Sequence, residues 1–462
     1  MTERYSLTRR GFLVTGAAAG GGLFLGLSAS GGKGPIPQAG AHEGHAQGPI
    51  DLNARIAIGD DGIVTVTVPR TEMGQGVYTS LPMLAAEELD IDIETIRVEA
   101  AGVGSDYINY AMLLPEVEIA EVPDTSGIVK TLMRNLVGPQ MTGGSTSVRD
   151  AWVTMRLAGA TARHMLRQAG AEKMNVGFSE TTTESGFVVH EGSDRQISYG
   201  DLAAAASQLK PPSHPEFRAR SRYRYIGTTV PRFDTPAKVT GTAEFGIDVR
   251  LSGMVYAAVR NTPVFGGWVK SFDASAVRSM PGVEDVLEVP GGIAVVADSY
   301  WHAKTAVDAL PVSFDPGPSA SLSRVEIFDS LARALADEDG KNLHEDGDAA
   351  AAIARATDLF EAEYRLPYLA HATMEPQNCT ARVTSEACDI WIGTQAPDLV
   401  RDAARDLTGL PAERINVYVK FLGGGFGRRL ELDAVRQAVT VAKAQQGRAV
   451  KLIWSREEDI QH

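Results

Sequence analysis

Five residues, Gly423-Gly424-Gly425-Phe426-Gly427, separate an alternating apolar run, Ile415 to Leu422, from a helical pattern, Arg428 to Lys443. A strand, a glycine loop and a helix in that order let backbone N–H groups close in on an anionic or oxo ligand. Two nucleotide readings fail on the residues after the loop. A Walker A loop needs Lys and then Ser or Thr, and Arg428-Arg429 stand there instead. A dinucleotide fingerprint counted from Gly423 and Gly425 needs a third glycine where Arg428 stands, which disfavours a secreted nucleotide-binding dehydrogenase. On the loop alone, a ligand-free tight turn is the simpler reading.

Other residues alter the balance. Gln395 ends a strand, Trp391 to Gly393, and precedes a helix that opens at Pro397. Its amide is expected at a strand's C-terminal end, with both functions free for a ligand. His371 and Glu375 have the i,i+4 spacing of a zinc pair, but Pro367 and Pro376 argue against a helix, and a hydrogen-bonded turn is preferred. Met73-Gly74-Gln75-Gly76 and Gly143-Gly144-Ser145-Thr146 each precede a helical pattern, Val77 to Leu89 and Val148 to Gln168.

These loops need a scaffold, and the apolar periodicity supplies one. Residues 51–68 form a hairpin about Gly59-Asp60-Asp61-Gly62, and Ile96 to Ala101 is a further strand. Residues 102–140 are a long loop, longer and more acidic between Tyr110 and Thr142 than expected. A polar hairpin (Gly186 to Ile197) and a short helix (Tyr199 to Gln208) come next. Residues 211–232, rich in Pro and Arg, suit an extended linker. A small module then alternates strands at 252–259, 283–289 and 293–297 with helices at 273–279 and 299–309. Residues 316–356 are acidic and helical. Strands at 360–365, 378–383, 389–393 and 449–454 and a helix at 397–408 complete the chain.

The chain has 462 residues, 44% hydrophobic and 22% charged, which is ordinary globular composition for several domains. A net charge of −14 argues against nucleic acid or an anionic lipid surface as the main partner. Two cysteines, Cys379 and Cys388, exclude a disulfide framework and an iron–sulfur cluster within the chain. Redox electrons must therefore go to another chain. Thr8-Arg9-Arg10-Gly11-Phe12-Leu13 opens a Gly- and Ala-rich run free of acidic residues until Glu43, with small residues at Leu27-Ser28-Ala29-Ser30. That is the pattern of a twin-arginine export signal, implying a periplasmic protein. Gly31 to Gly48 reads as a tether in which His42 and His45 are solvated.

Taken together, Met73–Gly76, Gly143–Ser147, Lys238–Gly246, His371–Pro376, Gly393–Pro397 and Gly423–Gly427 make the chain resemble the molybdopterin-binding large subunit of the xanthine dehydrogenase family. The Met-Gly-Gln-Gly element comes first, as in the isoquinoline 1-oxidoreductase beta-subunit type. The resemblance implies an α+β, multi-domain architecture with an α/β-hammerhead module between two molybdopterin-binding regions. Its divisions are 1–48 (signal and tether), 49–210, 211–232 (linker), 233–318 (hammerhead) and 319–462 (an incomplete second region).

The resemblance also implies a cofactor and its contacts. Molybdenum is held by the dithiolene of a molybdopterin, as the cytosine dinucleotide, with no protein ligand to the metal. Gly424, Gly425, Phe426, Gly427 and Arg428 flank it, and Gln395 hydrogen-bonds an apical oxygen. Gly74, Gln75 and Gly76 grip the pterin or its phosphates, and Gly144, Ser145 and Thr146 contact the dinucleotide. The implied reaction hydroxylates an N-heterocycle or oxidises an aldehyde with oxygen from water. Electrons pass to a small subunit with two 2Fe–2S clusters and on to a cytochrome. The family's base glutamate sits in a Gly-Glu-Pro-Gly-type motif. None occurs here, Glu457 and Glu458 do not match it, and the base is expected beyond residue 462. The competing expectation is a truncated, non-catalytic remnant. Asn261-Thr262 before Pro263 is a further departure, at a packing position.

Overall fold

Alternation of apolar residues at 56–58 and 64–68 folds the chain back on itself through Gly62, whose φ of +77° suits the turn. Strands β1 (Ile50–Asn53), β2 (Ile56–Ile58), β3 (Val64–Val68) and β4 (Ile96–Ala100) form one sheet in that order. β3 and β4 are parallel, so the connection between them must cross over, and helix α1 (Val77–Leu89) supplies it. Helix α2 (Ser147–Met174) packs on α1. At Gly159 a Cβ would lie 2.4 Å from the Ala85 carbonyl oxygen, so only glycine allows this approach. A three-stranded sheet, β5 (Thr182–Glu184), β6 (Phe187–His190) and β7 (Arg195–Ser198), leads to α3 (Tyr199–Ala206), capped by Ser198. Ile58, Val66, Leu81, Met155 and Leu166 are among the core residues, each buried side chain worth roughly 1.5–3 kcal/mol.

The computed structural model describes residues 50–53, 55–112, 139–337 and 340–462. The expected export signal and tether, with His42 and His45, lie outside the described residues, as does most of the acidic stretch after Tyr110. Among the described residues no helix is long and apolar enough to cross a membrane.

Beyond α4 (Thr235–Val239) come β8 (Val255–Asn261), β9 (Trp268–Phe272), β10 (Val283–Val289), β11 (Gly292–Ala297), α5 (Tyr300–Ala309) and β12 (Val312–Asp315). Helices α6 (Arg324–Asp337) and α7 (Ala349–Arg355) are next. Then come β13 (Asn378–Val383), β14 (Cys388–Ile392), α8 (Pro397–Thr408), β15 (Ile415–Val419), α9 (Asp433–Ala444), β16 (Val450–Ile453) and α10 (Arg456–Ile460). One seven-stranded sheet runs β10-β11-β8-β16-β13-β14-β15. The strands of the expected 233–318 module therefore continue into those of the last region, joined by β16. β16 lies parallel to β8 and antiparallel to β13. β9 and β12 form a separate ribbon that the sequence pattern did not reveal.

Three expected elements differ. The 273–279 helix is a single 3-10 turn, Ala274–Ala276, capped by Asp273. No strand forms at 360–365. The helix after the glycine loop begins at Asp433, because Arg428–Leu430 is a 3-10 turn entered through Gly427 at φ +99°. The 211–232 stretch does not hang free either. The Glu87 carboxylate of α1 accepts the amides of Arg224, Tyr225 and Ile226 at 2.7–3.1 Å, and Glu88 accepts that of Arg218 at 2.7 Å.

Candidate functional site

Four loops meet at the ends of these elements. Three leave the carboxyl ends of parallel strands: 71–76 after β3, 393–396 after β14 and 420–427 after β15. The fourth, 142–146, opens α2. Crevices beyond the carboxyl ends of parallel strands are where open α/β sheets bind ligands.

The first loop is shaped by Glu72, fully buried. Its carboxylate accepts the amides of Gly74 (2.8 Å), Gly76 (3.2 Å) and Tyr78 (3.1 Å), and it meets Arg232 at 3.0 Å and Lys238 at 3.6 Å. Gly74 and Gly76 take φ of +111° and +88°, and a Cβ on either would meet open space. The exposed Gln75 folds its side chain onto the loop, accepting from the Met73 amide and donating to the Thr71 carbonyl. Asp234 lies beside the same cations. Burial works to raise its carboxyl, but hydrogen bonds from Arg232 and Lys238 outweigh that and hold it below the usual range. Sequence reasoning missed Glu72 and Arg232. Their only signal was an acid beside two glycines and an arginine 160 residues later.

The loop before α2 is tied to both neighbours. The Thr71 amide donates to Thr142 Oγ1 at 2.9 Å, and the Thr142 amide donates to the Gln395 carbonyl at 2.8 Å. Gly144 and Ser145 are exposed, with φ of +58° and +55°. Thr146 is buried, its hydroxyl donating to the Gly143 carbonyl and accepting from Asn109 Nδ2.

Gln395 joins the third loop to the fourth. It is 2% exposed; its Nε2 donates to the Thr142 carbonyl at 2.8 Å, and its Oε1 accepts the Gly427 amide at 3.1 Å. The sequence led us to expect both amide functions free for a ligand, and they are not: the oxygen is engaged and one Nε2 hydrogen remains. A Cβ on Gly425 would lie 2.6 Å from Gln395 Oε1 and 2.9 Å from Met73 Sδ, so three of the sequence motifs touch here.

The glycine loop is braced from behind. Glu375 Oε2 accepts the Gly423 amide at 2.8 Å and the Arg429 guanidinium at 3.1 Å; Glu375 Oε1 accepts from Ile247 and Asn378. Arg429 also reaches the Gly424 carbonyl at 2.8 Å. Burial pulls the Arg429 guanidinium below its usual range, with Glu375 opposing. The amides of Gly424, Gly425 and Phe426 have no acceptor among the described residues. Phe426 stands 72% exposed at φ +55°, a strained conformation for an aromatic residue. The Arg428 side chain turns away from these amides, paired with Asp433 at 2.7 Å and lying over the Trp454 ring at 5.1 Å. His371 is exposed near the loop, while the saturated Glu375 serves as the hydrogen-bonded brace of a turn. Beside the site, a cavity of about 360 Å³ lies between β4, the 233–244 segment and Phe421.

Known proteins are similar to this chain in sequence. Residues 16–110 and 335–462 each match a family described as a molybdopterin cofactor-binding domain. The chain is 30% identical, over 99% of its length, to the isoquinoline 1-oxidoreductase subunit beta of Brevundimonas diminuta. It is also 30% identical, again over 99%, to the membrane-bound aldehyde dehydrogenase [pyrroloquinoline-quinone] of Gluconacetobacter polyoxogenes. It spans 60% and 57% of those relatives' lengths. Quinoline 2-oxidoreductase from Pseudomonas putida 86 aligns with 50% of the chain and 35% of its own, at 23% identity and a TM-score of 0.40. Two stretches of the chain thus carry the pattern of a molybdopterin cofactor-binding domain, and over 99% of its length the chain is similar to the isoquinoline 1-oxidoreductase beta-subunit type.

Proposed function

We propose that this chain holds a molybdopterin carrying molybdenum, in its cytosine dinucleotide form, within an oxidoreductase for an N-heterocycle or an aldehyde. The observation that carries the reading is the junction at Gln395. One side chain there ties the Thr142 loop to the glycine loop, beside three loop amides without an acceptor among the described residues. Such a cradle suits oxo and phosphate oxygens. The residues present fit the group: open space at Gly74 and Gly76, left-handed turns at Gly144 and Ser145, and donors rather than carboxylates at the loop face.

In this reading the amides of Gly424 to Phe426 and the remaining Nε2 hydrogen of Gln395 donate toward the metal's oxygen ligands. The exposed Gln75, Gly144 and Ser145 donate to the pterin and phosphates, while the amides of Gly74 and Gly76 stay on Glu72 and Thr146 stays on the Gly143 carbonyl. Glu72 and Glu375 contact no ligand; they hold the loops in shape. The bound cofactor would supply the two-electron redox step and the site at which water's oxygen is delivered. The Glu458 carboxylate is engaged by the Asn261 amide at 2.8 Å and is not assigned as the base.

Electrons would leave through a small subunit with two 2Fe–2S clusters and then a cytochrome. Cys379 and Cys388 support this: both are buried in β13 and β14, and burial pushes the thiols up, Cys388 to about 12. Neither is poised to bind iron. Residues 233–318 are assigned as the hammerhead, and Arg9-Arg10 motivates export to the periplasm by the twin-arginine route. The test is metal and nucleotide analysis of the assembled protein. One molybdenum and one acid-releasable CMP per chain are expected, and absence of molybdenum overturns the reading.

A further inference from the structure

The turn from His371 to Glu375 contains no helix or strand, yet two arginines hold its backbone. Arg456, at the start of α10, donates to the Thr373 carbonyl at 2.6 Å and to the Met374 carbonyl at 3.0 Å. Arg429 donates to the next carbonyl, that of Glu375, at 2.7 Å. Three consecutive carbonyls therefore end on guanidinium groups. The Glu375 amide in turn donates to the Gly423 carbonyl at 3.1 Å, and the Gly423 amide returns to Glu375 Oε2. A Cβ on Gly423 would lie 2.3 Å from Glu375 Cβ, and one on Gly424 would lie 3.5 Å from Thr373 Cβ, so the turn backs the glycine loop closely. Asp459, from the same helix as Arg456, completes the arrangement. It is 3% exposed; its Oδ2 accepts from Arg456 at 2.6 Å, and its Oδ1 has no partner among the described residues. Burial pulls the Arg429 guanidinium down and the Arg456 charge adds to that, while Glu375 and Asp459 oppose it. One buried carboxylate thus serves both arginines.

We propose that Arg456 and Asp459 are positioning residues of the cradle: they fix the 373–375 turn behind the glycine loop and so set the aim of the Gly424, Gly425 and Phe426 amides. The proposal rests on the reading of that cradle as a molybdopterin site. A guanidinium on carbonyls often does no more than close a turn. Here a carboxylate has been taken out of water, which is unfavourable unless close pairing offsets it, and Asp459 is paired through one oxygen only. What that burial secures is the orientation of Arg456, and through it a turn that is bonded in both directions to Gly423. Arginine suits the place. Its planar fork reaches two carbonyls through one nitrogen and the carboxylate through another, which an ammonium on a flexible stem does not reproduce. The pair acts on the ligand only through the turn and Gly423.

The assembled protein, isolated intact, is compared with the double variant Arg456→Gln, Asp459→Asn and with Arg456→Lys. The double variant removes both charges together, so neither is left buried alone and the chain should stay folded. Hydrogen exchange in peptides spanning Gly423 and Gly427 should run at least about tenfold faster in the double variant, with β13 and β16 unchanged. The paramagnetic-resonance spectrum of the reduced molybdenum should change as well, because the amides no longer share one aim. Arg456→Lys, which keeps a donor near the carbonyls, should fall between the two. Wild-type exchange in the double variant overturns the proposal. So does faster exchange with molybdenum content and spectrum unchanged, since the pair would then only brace the turn. Acceleration that spreads equally into β13 and β16 overturns it too. A wild-type protein without molybdenum overturns the reading of the cradle, and this proposal with it, whatever the exchange shows.

Discussion

Gly425 sits where Gln395 and Met73 leave no room for a side chain. Gly425→Ala should displace the Gln395 amide, cost about 1–3 kcal/mol as overpacking does, and lower molybdenum content at least about tenfold. Gln395→Leu breaks the same junction from the other side, leaving the Gly427 amide and the Thr142 carbonyl unpaired. Metal analysis should show a comparable loss, and normal occupancy in both variants would remove Gln395 from the site. Lys451 gives a prediction in pH. Burial brings its ammonium down to about 8, with Arg250 adding, and its Nζ donates to the Ile247 carbonyl at 2.6 Å. Between pH 8 and 10.5 the unfolded chain then holds the extra proton, so stability should rise with pH across that window and be flat below it. Lys451→Met should abolish the rise, worth roughly 2–3 kcal/mol, in denaturant titrations at pH 7.5 and 10.

At the scale of elements, the strap 216–226 is held to α1 by buried carboxylates. Glu87→Ala leaves three amides without their acceptor, at about 1–3 kcal/mol each. Limited proteolysis should then cut within 211–232 while α1 and α2 stay protected; unchanged cleavage would mean that the strap is held elsewhere. The helices α1, α2, α5 and α8 were legible because each carries its own periodicity and start signal. The 74–76, 395 and 424–427 loops were legible because glycine and proline punctuate them. Three things were not. Glu72 and Glu375 act through amides distant in sequence or set by loop shape, and a local pattern carries no trace of that. The helix expected at Arg428 starts at Asp433, because entry through a left-handed glycine leaves only a 3-10 turn. The alternation at 360–365 was visible, but a strand exists only with a neighbour to pair.

For the whole molecule, the joint formed by β16 matters most. Residues 255–297 and 378–419 share a sheet only through it. Leu452→Ala, at a fully buried position, should cost about 2–5 kcal/mol. Because the sheet is continuous, calorimetry should show one transition displaced for both halves. Hydrogen exchange in β8 and β13 should accelerate together. A split transition, with only one half affected, would show that the halves unfold separately.

The position of β16 also sets an order of events during synthesis. β8 leaves the ribosome almost two hundred residues before its neighbour β16, and β13 about seventy before. Until Val450 to Ile453 emerge, both strands keep an open hydrogen-bonding edge, the kind that recruits the wrong partner. The nascent chain therefore carries an open edge for almost two hundred residues of its synthesis, and the candidate-site loops after β14 and β15 settle only when the sheet has closed.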